Sequence, residues 1–155
     1  MGLAYAIGKP VCGINTLLGI AFYSGFPKTL VCPLIDAKRS EAYTALYRLG
    51  TEIPQEVSAP SALPLTDLVE MLKQQNEQIT ITGPASAHFR DILVDSGANL
   101  VFVDPDESKP SAISIARLGK IFFSAGESMN PSELEPLYLR RSDAELLREK
   151  QCKRS

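Results

Sequence analysis

Apolar positions recur every second residue in some stretches of this chain and every third or fourth in others, a pattern that predicts strands interleaved with helices. Leu30 to Ile35 is an apolar, β-leaning run, Asp36-Ala37-Lys38-Arg39-Ser40 is polar and turn-like, and Tyr43, Ala45 and Tyr47 then alternate with Ala42, Thr44 and Leu46. That order predicts an antiparallel hairpin with its charges at the turn. Farther on, Gln78 to Thr82 reads as a buried strand, Gly83-Pro84 as a turn, Ser86 to Ser96 as a helix closed by Gly97, and Asn99 to Val103 as a second strand. A strand, a helix and a strand in that order call for parallel pairing.

The flanking segments fill in around these two units. Val11 to Ile14 is expected as a short strand after the Gly8 and Pro10 break, and Thr16 to Tyr23 as a helix with Asn15 or Thr16 at its N-cap. Pro54, Pro60 and Pro64 limit Thr51 to Pro64 to a brief edge strand and a connection. Thr66 is expected to cap a helix through Gln75, with Leu68, Val69 and Leu72 at helical spacing. Ser111 to Ser124 predicts a last helix that turns Ile113, Ala116, Leu118 and Ile121 toward the sheet. Asn130-Pro131 opens a short turn or helix, Leu137 to Leu139 is extended, and a charged tail follows. The expected class is α/β: a mixed sheet with an antiparallel hairpin followed by parallel βα units, in one lobe over residues 1–140 with a tail over 141–155.

Composition narrows the function classes. The chain has 155 residues, 45% hydrophobic and 22% charged, with a formal net charge of -2. A chain of this length buries about 70% of its unfolded surface, enough for a core. The charge balance gives no electrostatic pull toward nucleic acid. Cys12, Cys32 and Cys152 are odd in number and share no metal-type spacing, so neither a disulfide framework nor a zinc site is expected, and reduced thiols fit a cytoplasmic setting. No run reaches the ~20 apolar residues of a membrane span.

Four places carry candidate chemistry. Asp36, Lys38, Arg39 and Glu41 put opposed charges on one short loop, either as local ion pairs or as a docking point, since such charges supply orientation more than affinity. Gly83 and Ser86 sit between strand and helix, where free amides can hold an anion, although most such junctions only turn the chain. Arg140 and Arg141 begin a basic end that could touch RNA, diluted by Asp143, Glu145 and Glu149. Asp104, Asp106 and Glu107 lack the spacing of a calcium loop and read as solvated. His88, the only histidine, has no acid or nucleophile at a motif spacing. No catalytic residue and no metal set emerges.

Three segments carry a family resemblance. Residues 35–43, IDAKRSEAY, are similar to the Asp-Ala-Arg-Arg-x-Glu-Val-Tyr hairpin of the TsaB (YeaZ) family, and PLYLRRSDAE, Pro136 to Glu145, resembles that family's Pro-x-Tyr-Leu-Arg-x-x-Asp-Ala-Glu ending. Gly2 to Leu17, GLAYAIGKPVCGINTL, resembles its helix-to-strand junction. The likeness covers nearly all of this chain but only the later part of a full family member, so a first lobe with a Gly-Pro-Gly-Ser-Phe-Thr-Gly loop is expected to be missing. The resemblance implies an RNase H-like, actin-like ATPase lobe. It also implies a non-catalytic scaffold and activator in threonylcarbamoylation of the tRNA adenosine next to the anticodon. The implied partners are a TsaD-like protein directly, a TsaE-like ATPase through the complex and tRNA indirectly, with a homodimer left open. It implies no resident cofactor, a nucleotide at a partner interface being the one case left open. The competing expectations are a metal-dependent glycopeptidase-like enzyme and a stand-alone interaction module.

Overall fold

The computed structural model describes residues 2–23, 29–51, 53–104 and 111–140. Leu30–Lys38 (β1) and Glu41–Arg48 (β2) form the expected antiparallel hairpin, pairing Leu34 with Thr44 and Ile35 with Tyr43. Gln55–Pro64 (β3) adds antiparallel to β2, while Ile79–Thr82 (β4) and Leu100–Phe102 (β5) add parallel on the other side of β1. The resulting order is β3-β2-β1-β4-β5. Strand addition runs outward from β1 in one direction through β3 and then in the other from β4, so the turn after β4 lies beside the carboxyl half of β1.

The period of two along each strand builds two cores, one per face. Leu30, Cys32 and Leu34 of β1, Ala42 and Leu46 of β2, and Ile79 and Ile81 of β4 pack with Leu68 and Leu72 of Leu65–Lys73 (α3) and with Phe89 and Leu93. On the opposite face Val31, Ala45, Tyr47 and Leu49 pack with Leu17, Leu18 and Ala21 of Thr16–Tyr23 (α2) and Leu118 of Ala112–Ser124 (α5). Each face excludes water with roughly 1.5–3 kcal/mol per fully buried aliphatic side chain, before entropy is set against it. Gly19 lets α2 and α5 approach, because a Cβ there would run into Ile115.

Several expectations need correcting. Val11 to Ile14 forms no strand, only one bridge from Val11 to Met129, since neighbouring residues find no second ladder bond. β3 is ten residues long rather than brief. It is the sheet edge, where the missing N–H of Pro60 leaves no partner unpaired, and register shifts in its pairing with β2 absorb the irregularity. Thr66 lies inside α3 with its hydroxyl on Asp67, and the N-cap position belongs to Pro64, whose side chain makes no capping bond. The helix expected from Ser86 shrinks to Arg90–Val94 (α4), with turns over 84–89.

α5 is rotated relative to expectation. Ser111 Oγ accepts from the Ile113 amide and so fixes its start, and the inward stripe then runs through Ser114, Leu118 and the half-buried Ile121 and Phe122. Ile113 is 64% exposed and Ala116 faces solvent. Leu137 to Leu139 lies outside any helix or strand, and Leu139 packs against the second core. The first helix, Gly2–Ala6 (α1), buries no residue.

Candidate functional site

The tip of the hairpin is held in a backbone conformation its residues resist. Lys38, Arg39 and Ser40 all have positive φ, at 66°, 56° and 60°. A two-residue hairpin turn that matches the right-handed twist of its strands needs positive φ at both central positions, and Asn-Gly is the usual solution. Here Arg39 and Ser40 occupy those positions, and the register slips between Asp36 and Lys38 to place one more residue in the same region. The turn is therefore narrower than Asp36–Ser40, with Asp36 to Lys38 on β1 and Glu41 opening β2.

Three residues, Asp36, Leu65 and Arg140, hold this conformation. Asp36 Oδ1 accepts the Lys38 amide at 2.7 Å, and Asp36 Oδ2 accepts Lys38 Nζ at 2.8 Å. On one side the Leu65 amide, which opens α3, donates to Ser40 O at 3.2 Å. From 103 residues away along the chain, Arg140 Nη1 donates to Ala37 O at 3.0 Å and lies 3.6 Å from Glu41 Oε2. Strain of about 1–3 kcal/mol per such residue persists only where the surroundings over-determine it, and it gathers at binding sites. The Lys38 ammonium beside it, then its amide, hold the Asp36 carboxyl below its usual range. Lys38 and Arg39 stay exposed, so the tip shows cations outward over a carboxylate base.

The structure thus joins two candidates that the sequence kept apart. Asp36, Lys38, Arg39, Glu41 and Arg140 form one cluster, in which Arg140 braces the hairpin with a side chain only 19% exposed. Arg141, Asp106 and Glu107 lie outside the described residues. Asp104 is exposed two residues past the end of β5.

Gly83 and Ser86 sit in the turn after β4, beside the carboxyl half of β1. The Ala85 amide donates to Leu34 O at 3.2 Å and the Ser86 amide to Gly83 O at 3.0 Å. Gly83 has φ +100°, and a Cβ there would strike the Leu34 backbone, so this position needs glycine for close packing on β1. Thr82 Oγ1 and Ser86 Oγ are buried with no hydrogen-bond partner among the described residues. His88 is exposed, with its ring edge-on to Phe89.

Two features escaped sequence reasoning. One is a groove of about 870 Å³ beside the tip, between Ile14 and Asn15, the outer residues Ile35 and Tyr43 of the hairpin, and a strap that includes Leu134 and Leu137. It arises from segments more than 100 residues apart, so no local pattern marks it. The other is a paired contact at the far end of β2, where Arg48 Nη1 and Nη2 meet Glu77 Oε2 and Oε1 at 2.8 and 2.6 Å.

The thiols have unequal surroundings. Cys32 is buried against the Thr44 hydroxyl, and burial pushes its thiol up to about 12, away from the thiolate that nucleophilic chemistry requires. Cys12 lies half-buried with its Sγ 3.1 Å from Glu127 O. Among the described residues, no three His, Cys, Asp or Glu side chains gather as a metal-ligand group. No helix among them is long and apolar enough to cross a membrane.

Comparison with known proteins adds the following. The sequence model of the family described as "TsaD: tRNA N6-adenosine threonylcarbamoyltransferase" matches residues 1–146. The tRNA threonylcarbamoyladenosine biosynthesis protein TsaB of Bacillus subtilis (strain 168) is 26% identical over 144 residues, covering 92% of this chain and 61% of that protein. A Pseudomonas aeruginosa structure described by its similarity to peptidase YEAZ superposes with a TM-score of 0.70 at 21% identity, over 90% of this chain and 63% of the other. YeaZ from Pseudomonas aeruginosa gives a TM-score of 0.69 at 20% identity, over 89% and 62%. The chain spans about three fifths of the length of these relatives. The two structures establish the α/β lobe that the sequence suggested.

Proposed function

Since the chain belongs to the family described as TsaD, tRNA N6-adenosine threonylcarbamoyltransferase, and to its TsaB/YeaZ kind, we propose that it serves threonylcarbamoyladenosine formation in tRNA as an accessory subunit that acts by binding. Its direct partner in this reading is a TsaD-like protein. A TsaE-like ATPase and tRNA are reached through the assembly, in the cytoplasm.

One observation carries the reading: a charged hairpin tip kept in a strained conformation by a strap and a helix, with Lys38 and Arg39 exposed. A rigid tip loses little freedom when it docks, so opposed charges on it fix orientation at low entropic cost. Asp36 serves this by holding Lys38 and Glu41 by meeting the Arg140 brace, and Arg39 supplies further exposed charge.

The test is a calorimetric titration of the full chain against the TsaD-like protein of the same organism. Arg39→Glu is expected to weaken association by about tenfold or more, Arg39→Lys by much less, with the melting temperature of both within a few degrees of the parent. Absence of association, or equal affinity for the Glu variant, would overturn the assignment of the tip.

A further inference from the structure

On the face away from α3, Phe22 near the end of α2, Ile53 and the outer side of α5 border a second, open hollow of about 550 Å³. Phe22, Ile53, Ile121 and Ala125 line it with apolar surface, and Arg117 and Lys120 stand three residues apart on the same helix at its margin. Both cations are exposed. Neither has an ion-pair partner among the described residues, whereas Lys38, Arg48 and Arg140 each meet a carboxylate.

We propose that this hollow is a docking site for an acidic segment of a partner protein that anchors through an apolar side chain. Two adjacent cations above apolar walls ask for two things together: carboxylates for the charged heads and a hydrocarbon or aromatic group for the floor. The aliphatic stems of Arg117 and Lys120 can extend the apolar wall while their heads remain hydrated, so both demands are met within one side chain's reach. The volume lies inside the ~300–1,000 Å³ range of binding clefts and takes an anchor of one or two side chains. An anchored aromatic or aliphatic group supplies the affinity, and the flanking charges supply the rate and the register.

A nucleic acid fits less well. Two cations neutralise only about two phosphates, and an overall charge of -2 opposes a polyanion. A short acidic peptide carries fewer charges and brings its own apolar group. The site lies apart from the hairpin tip, and its test needs no TsaD-like protein, so the two proposals stand or fall separately.

The experiment titrates the isotopically labelled full chain with a short synthetic peptide of Asp and Glu around a Leu-Phe pair, followed by amide resonances. Shifts are expected at Phe22, Ile53 and residues 117–125, with binding weakened by about tenfold in the Arg117→Glu, Lys120→Glu double variant and when Leu-Phe is replaced by Ser-Ser. Far-ultraviolet dichroism of the variant should match the parent, because both side chains are solvent-facing. Four results would overturn the proposal: no shifts at millimolar peptide, shifts elsewhere, undiminished binding by the double variant, or tighter binding of an oligonucleotide of equal charge.

Discussion

At the scale of single residues, the tip is a linkage of small electrostatic effects. Asp36 accepts both the amide and the ammonium of Lys38, and its carboxyl is held below the ordinary 3.8 as a result. A depressed native value stabilises the fold above the ordinary pKa and loses that contribution as the pH falls through the native value. The denaturation midpoints of the parent and of Asp36→Asn are therefore expected to differ most near neutrality and to converge as the pH falls through the lowered native value. A gap that stays constant with pH would place the effect of Asp36 in geometry rather than charge. Glu77 follows the same sign, since Arg48 holds its carboxyl low from the other end of β2.

At the scale of elements, the hairpin shows strands that were legible and a turn that was not. Alternating Tyr43, Ala45 and Tyr47 marked β2 directly, because burial on one face leaves its period in the sequence. Three consecutive left-handed residues had no such mark: Lys38, Arg39 and Ser40 contain neither Gly nor Asn, and the conformation comes from twist-matching, the Leu65 amide and Arg140. Replacing Arg39-Ser40 by Asn-Gly should relieve the strain and raise stability by about 1 kcal/mol, read as a higher urea midpoint at unchanged slope. The same variant should bind the TsaD-like protein less well, since it discards the charge at position 39. α4 failed for the opposite reason. Its helical pattern from Ser86 was present, but the amides at 85 and 86 turn back to Leu34 and Gly83, and the helix starts only at Arg90.

For the whole molecule, long-range contacts decide where the site lies. Arg140 ties the segment after α5 to the hairpin, closing one wall of the groove that includes Ile35 and Tyr43. Arg140→Ala is expected to lower unfolding free energy by about 1–3 kcal/mol, because it removes a charge-assisted bond from a largely buried guanidinium and leaves Glu41 without it. Chemical denaturation measures this, and a change under a few tenths would show that apolar contacts such as that of Leu139, rather than Arg140, hold the strap. By itself the sequence determined the α/β class, the hairpin, the parallel β4–β5 pair and the family likeness, because side-chain periodicity and short motifs are local properties of the chain. Only the tertiary structure decided that Arg140 braces the tip, that α5 turns Ile113 outward, and that Arg117 and Lys120 overlook an apolar hollow. These depend on which distant segments share a face, and that is set by packing across the sheet.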